Sequence, residues 1–237
     1  MPQFLISRYK AAIFDLDGTL ACSMHAWDNI CRNWLAGKGK TAENTLEQKL
    51  TAMTLNSAAE YVSDFYNINM PPSRIINEWE DMILHQYKHT ILLKDGAAEL
   101  IEYLAGGGMK LGIATSCFPA ACESLLTRYG IRKYFSAVVY TDSAGRNKTF
   151  PDVYLACAEK LNVRPEHCVV FEDLYASLSG IRAAGMSAAA VYDESGAKDW
   201  EKFKREADYA VDPSTKLTEV IIITLKTKTP GQLEEKA

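Results

Sequence analysis

With 237 residues, 48% of them hydrophobic and 24% charged, the chain can bury a substantial core, which excludes disorder as its default state. A net charge of -4 and a sequence pI of about 5.7 give no overall attraction for nucleic acid or for an anionic membrane surface. No stretch approaches the roughly 20 consecutive apolar residues of a membrane-spanning helix, and the short apolar run near the start meets Asp15 and Asp17, unlike a secretory leader.

Ala11–Leu16 is the first of several short apolar runs, rich in β-branched residues, that read as buried parallel strands. The interval from Cys22 to Leu92 holds helical patterns and no convincing strand, and it is too long for a crossover, so it predicts an inserted helical domain. Helices are expected there near Met24–Leu35, Leu46–Thr51, Ser57–Tyr66 and Pro72–Thr90. Further strands are expected at Lys110–Thr115, Ala137–Tyr140, Cys168–Phe171 and Ala188–Tyr192. Helix-period segments at Gly96–Ala105, Pro119–Tyr129, Pro151–Leu161 and Ala176–Ala184 alternate with them, the pattern of a doubly wound sheet. Leu217–Leu225 is expected to pack as a last helix or strand, with the polar end from Lys226 fraying. The predicted layout is an α/β core from residues 1–21 and 92–237, with an α-helical cap at 22–91. Cys22, Cys31, Cys117, Cys122, Cys157 and Cys168 show no CxxC spacing, so reduced and mostly buried thiols in a cytoplasmic protein are expected.

Four segments carry chemistry. Phe14-Asp15-Leu16-Asp17-Gly18-Thr19 follows the first strand, at the carboxyl edge where open α/β sheets bind ligands. Alternation along an extended strand predicts that Asp15 and Asp17 share a face, with Gly18 turning the chain. Converging carboxylates repel unless a proton or cation intervenes, and a hard oxygen-seeking ion such as Mg²⁺ would satisfy both them and a substrate phosphate. Thr115 and Ser116 end the second strand ahead of a helix, where hydroxyls and free amides can hold phosphate oxygens. Lys148 lies in the loop before Pro151-Asp152 and can neutralise a phosphoryl group as a point charge. Glu172 and Asp173 end another buried strand; Asp173 is the expected direct metal ligand, and Glu172 the holder of a metal-bound water or of Lys148.

In this order, DLDGT, a strand ending Thr-Ser, a lysine four residues before Pro-Asp's aspartate, and a strand ending FED resemble the motifs of the haloacid-dehalogenase-like superfamily. The FED ending, with Gly180 and Ala183–Met186, and the helical insertion are similar to its β-phosphoglucomutase-like phosphatases. The expected sheet order is five-four-one-two-three. The resemblance implies Asp15 as nucleophile, Asp17 as general acid and base, Thr115 as phosphate anchor and Lys148 as charge stabiliser. It also implies a Mg²⁺ site of Asp15, the backbone carbonyl of Asp17, Asp173 and Glu172, with Gly18, Thr19 and Ser116 against the phosphate.

Substrate choice falls to the insertion, where His25 and Thr54 are candidate contacts and Met24, Trp27, Met53 and Leu55 lie nearby. The expected partner is a small phosphorylated metabolite, a sugar phosphate or a nucleotide-type compound, with no nucleic-acid polymer or membrane; the sequence leaves the oligomeric state open between monomer and weak dimer. Trp27 and Leu55 stand where the related mutase has a histidine and an arginine, which favours phosphatase over phosphosugar mutase. A silent metabolite-binding protein is the rival from another class. His85 and His89, four apart on one helix, have zinc-binding spacing without a third ligand nearby.

Overall fold

Ala-Ala-Ile-Phe at 11–14 is wholly buried, as a strand covered on both faces must be. In this computed structural model, which describes residues 8–50, 53, 55–212 and 217, the run forms β1 (Ala11–Phe14) at the middle of a parallel sheet. β2 (Lys110–Thr115), β3 (Phe135–Tyr140), β4 (Cys168–Glu172), β5 (Ser187–Val191) and β6 (Tyr209–Val211) complete the order β3-β2-β1-β4-β5-β6. This is the expected order read from the other edge, extended by β6. That strand is three residues long, too short to show a period in sequence.

The described residues divide into two compact units: one built from the chain up to Cys22 and from Leu92 onward, the other from Ser23–Ile91. The second unit is helical: α1 (Met24–Gly37), α2 (Leu46–Leu50), α3 (Leu55–Phe65) and α4 (Pro72–His89). Its core follows helical spacing, with Cys31, Trp34 and Leu35 on α1 packing with Ile75 and Trp79 on α4. The Trp34 and Trp79 rings meet edge-on at 6.0 Å. Pro71 and Pro72 start α4, where the missing amide hydrogen costs nothing. His85 and His89 do share a face, with ring centroids 4.7 Å apart, and both are exposed.

In the sheet unit, α5 (Ala97–Gly106), α6 (Pro119–Arg128), α7 (Thr141–Ala144), α8 (Asp152–Leu161), α9 (Leu178–Ala183) and α10 (Trp200–Glu206) flank the strands. The expected Ala176–Ala184 helix is instead a tight turn at Tyr175–Ser177 followed by α9. The short α7 and α10 have too few turns to leave a clear pattern in sequence. α8 buries Val153, Tyr154, Cys157, Ala158 and Leu161 along one face, against β1, β2 and β3. All six cysteines are free thiols, and five are buried. Of the expected Leu217–Leu225 element only Leu217 is described; it is buried, and its amide donates to the Asp95 carbonyl at 2.9 Å. The segment from Lys226 lies outside the described residues. Among the described residues, no helix is long and apolar enough to cross a membrane.

Register determines what reaches the carboxyl edge of the sheet. Phe14 is level with Ile113 of β2 and with Phe171 of β4, and its ring stacks on that of Phe171 at 4.6 Å. The next residues of all three strands, Asp15, Thr115, Glu172 and Asp173, therefore emerge at one edge.

Candidate active site

Asp15 continues the line of β1, its amide donating to the Phe171 carbonyl at 2.9 Å. The chain then folds back on itself: the amides of Leu20 and Ala21 both donate to the Leu16 carbonyl, at 2.9 and 2.8 Å, and that of Gly18 to Ala21 at 2.9 Å. Gly18 sits at φ +80, and a Cβ there would lie 2.2 Å from Asp173 Oδ2. Only glycine fits, because the Asp173 carboxylate rests against that turn. Thr19, fully buried, donates from Oγ1 to Asp173 Oδ1 at 3.1 Å.

Asp15, Glu172 and Asp173 form a buried acidic cluster in which one oxygen from each lies within 4.8 Å of the others. The Asp17 carboxylate is not a member. Strand geometry ends at Phe14, so the alternation that would put Asp15 and Asp17 on one face no longer applies at the turn. Asp17 is half-buried and acts on Asp15 as a nearby negative charge.

Lys148, 8% exposed, is the counter-charge. Its Nζ forms an ion pair with Asp15 Oδ1 and lies 2.7 Å from Glu172 Oε1. Glu172 Oε1 also accepts from Tyr154 Oη at 3.3 Å, and Oε2 from the Leu174 amide at 3.2 Å. Fully ionised, three carboxylates around one ammonium would leave two negative charges in excess. Burial, with the charges of Glu172 and Asp17 against the opposing pull of Lys148, raises Asp15 to about 7. Burial and the neighbouring Asp15 and Glu172 hold Asp173 well above the usual carboxylate range. Burial disfavours the Lys148 ammonium, but the Asp15 and Glu172 charges outweigh it and hold Lys148 well above its ordinary value.

These residues fit a divalent cation. The donors are all oxygen, the surplus charge of the fully ionised site is two, and Asp173 Oδ2 is a buried acceptor without a hydrogen-bond partner. A cation there would satisfy the orphaned oxygen and relieve the carboxylate repulsion.

Residues 12–191 match the profile of the haloacid dehalogenase-like hydrolases. The chain belongs to that family. Among curated proteins this hydrolase is 28% identical to the fructose-1-phosphate phosphatase of Escherichia coli over 189 residues, 79% of this chain and 98% of that one. It is 25% identical to a phosphorylated carbohydrates phosphatase of Thermotoga maritima, covering 75% of this chain and 82% of that one. Among solved structures, a family IA hydrolase from Entamoeba histolytica superposes with a TM-score of 0.72 at 22% identity, over 91% and 99% of the two chains.

The remaining expected residues fall as follows. Thr115 is fully buried at the end of β2, and its Oγ1 accepts from the Cys117 amide at 3.0 Å. Ser116 is exposed beside it. His25 is exposed on α1 in the helical unit, as are Met53 and Leu55, and Thr54 lies outside the described residues. Trp27 is half-buried and donates from Nε1 to Tyr87 Oη at 2.9 Å, a packing contact within that unit.

Sequence reasoning passed over Tyr154. Its signal was present: a tyrosine on the buried stripe of α8 must find a polar partner for its hydroxyl.

Proposed function

We propose that this hydrolase is a Mg²⁺-dependent phosphatase acting on a small phosphomonoester, with a phosphorylated sugar as the preferred class. The observation that carries the reading is a buried carboxylate, Asp15, held by Lys148 beside two further acids at the carboxyl edge of the sheet. The phosphatases of Escherichia coli and Thermotoga maritima named above, one for fructose 1-phosphate and one for phosphorylated carbohydrates, support the sugar-phosphate class.

In this reading Asp15 attacks phosphorus, and the P–O bond to the alcohol breaks as Asp17 delivers a proton to the departing oxygen. Asp17 then takes a proton from water, which attacks the aspartyl phosphate and releases inorganic phosphate with Asp15 restored. Lys148 offsets charge on Asp15 before attack and on the phosphoryl oxygens during transfer. Thr115, Ser116 and the turn at Gly18 and Thr19 receive those oxygens. Asp15, Asp173 and the Asp17 carbonyl would hold Mg²⁺, with Glu172 beside them; when bound, the cation supplies charge neutralisation and orientation of the phosphate. In this reading the helical unit, Ser23–Ile91, is the cap that selects the alcohol, with His25 and Thr54 as the proposed contacts. The setting is the cytoplasm.

Phosphate release from a panel of sugar phosphates, nucleotides and p-nitrophenyl phosphate tests the proposal, comparing the native chain with Asp15→Asn in Mg²⁺. Turnover should be all but lost in the variant; equal release from both would remove Asp15 from its role.

A further inference from the structure

The proposed chemistry leaves unassigned a buried hydroxyl that touches Glu172. Tyr154 is fully buried on the inner face of α8, and its hydroxyl donates to Glu172 Oε1 at 3.3 Å. A phenol has one proton to give, and here Glu172 receives it.

Adjacent carboxylates are thereby treated differently. Glu172 is held by three donors: Lys148 at 2.7 Å and Tyr154 at 3.3 Å on one oxygen, and the Leu174 amide at 3.2 Å on the other. Asp173 accepts from Thr19 on Oδ1, while its buried Oδ2 has no partner. A carboxylate must give up hydrogen bonds to turn towards a cation, and Glu172 has the more to give up.

We propose that Tyr154 is a positioning residue that keeps Glu172 turned to Lys148, so that Glu172 anchors the ammonium beside Asp15 and leaves cation binding to Asp173 and Asp15. The kinetic consequence rests on the phosphatase reading; the consequence for cation binding does not. Without the phenol, Glu172 loses one of its restraints. Its oxygen already lies within 4.8 Å of the other ligand atoms, so it can turn to the cation. Lys148 then loses an anchor.

Tyr154→Phe keeps the ring and removes only the hydroxyl. Isothermal titration with Mg²⁺ should show binding tightened by about threefold or more, because a carboxylate is freed for the ion. On p-nitrophenyl phosphate kcat should fall about tenfold with KM within about twofold, the mark of an interaction used in the transition state. A merely loosened core would weaken both binding and turnover, so the opposite signs identify positioning. In a Glu172→Gln background, Tyr154→Phe should shift neither quantity, since the group it restrains has lost its charge.

Unchanged or weaker Mg²⁺ binding in Tyr154→Phe overturns the proposal, as does an equal effect in the Glu172→Gln background. 3-Fluorotyrosine placed at position 154 alone, a stronger donor of nearly the same size, should weaken Mg²⁺ binding; it decides the matter if Tyr154→Phe does not fold, and unchanged binding there overturns the proposal. If the native chain binds Mg²⁺ but releases phosphate from no ester, the phosphatase reading fails, and the titration still decides the role of Tyr154.

Discussion

A Cβ atom on Gly180 would lie 2.2 Å from the carbonyl oxygen of Lys148 and 2.6 Å from that of Phe150. The first residues of α9 thus press against the backbone of the lysine loop, and Ser179 Oγ secures the contact by donating to the Thr149 carbonyl at 3.0 Å. Lys148 is held from both ends: its ammonium by Asp15 and Glu172, its backbone by this close approach.

Gly180→Ala should therefore act on the site from behind. Backbone must move to admit the methyl group, at a cost of about 1–3 kcal/mol for overpacking. The expected result in urea unfolding is a loss in that range, with kcat reduced more than KM because Lys148 is displaced. A variant with native stability and native kcat would show that the loop yields freely.

Gly18→Ala addresses the cation side. The new methyl would overlap Asp173 Oδ2 at a residue of positive φ, so Asp173 cannot keep its position. Mg²⁺ should stabilise the native chain against heat and should not stabilise the variant; a full stabilisation of the variant would sever the link between Gly18 and the ion.

Lys148→Met leaves Asp15 and Glu172 buried without a counter-charge. Breaking a buried pair in this way costs about 3–5 kcal/mol. Chemical denaturation in a chelator should show a loss of that order. Added Mg²⁺ should recover part of it, since the ion neutralises the same carboxylates.

The pH dependence of the metal-free protein has a definite sign. Asp15 is raised by burial from its ordinary value to about 7, and Asp173 is raised in the same direction. An acid whose folded pKa lies above its unfolded one contributes stability that is present below the unfolded value of about 4 and lost as pH rises through the folded value. Lys148 is raised as well, so its contribution stays constant over this window. The melting temperature in chelator should fall from about pH 5 to pH 8, and the stabilisation by Mg²⁺ should grow over the same range as protons cease to compete. A shift by Mg²⁺ that is equal at both ends would contradict the assignment of these acids to the ion.

How far the site could be read in advance varies with the residue. Asp15, Thr115, Lys148, Glu172 and Asp173 were legible because each lies just beyond a buried apolar strand or beside a helix start, and parallel strands bring such ends to one edge. Asp17 was placed with the carboxylates by extending strand alternation past the point where the strand stops. The Glu172 contacts to Tyr154 and the Leu174 amide had no counterpart in spacing, since they depend on how α8 lies against the end of β4.

The sequence by itself determined the strand–helix alternation, the place of the helical insertion and the acids and lysine that meet at the sheet edge. These follow from local hydrophobic period and from chain order, which any window of the sequence contains. The tertiary structure alone decided which carboxylate holds the lysine and which keeps a bare oxygen. Two adjacent acids look alike in a sequence, and only the donors that packing brings within about 3 Å of each can make them different.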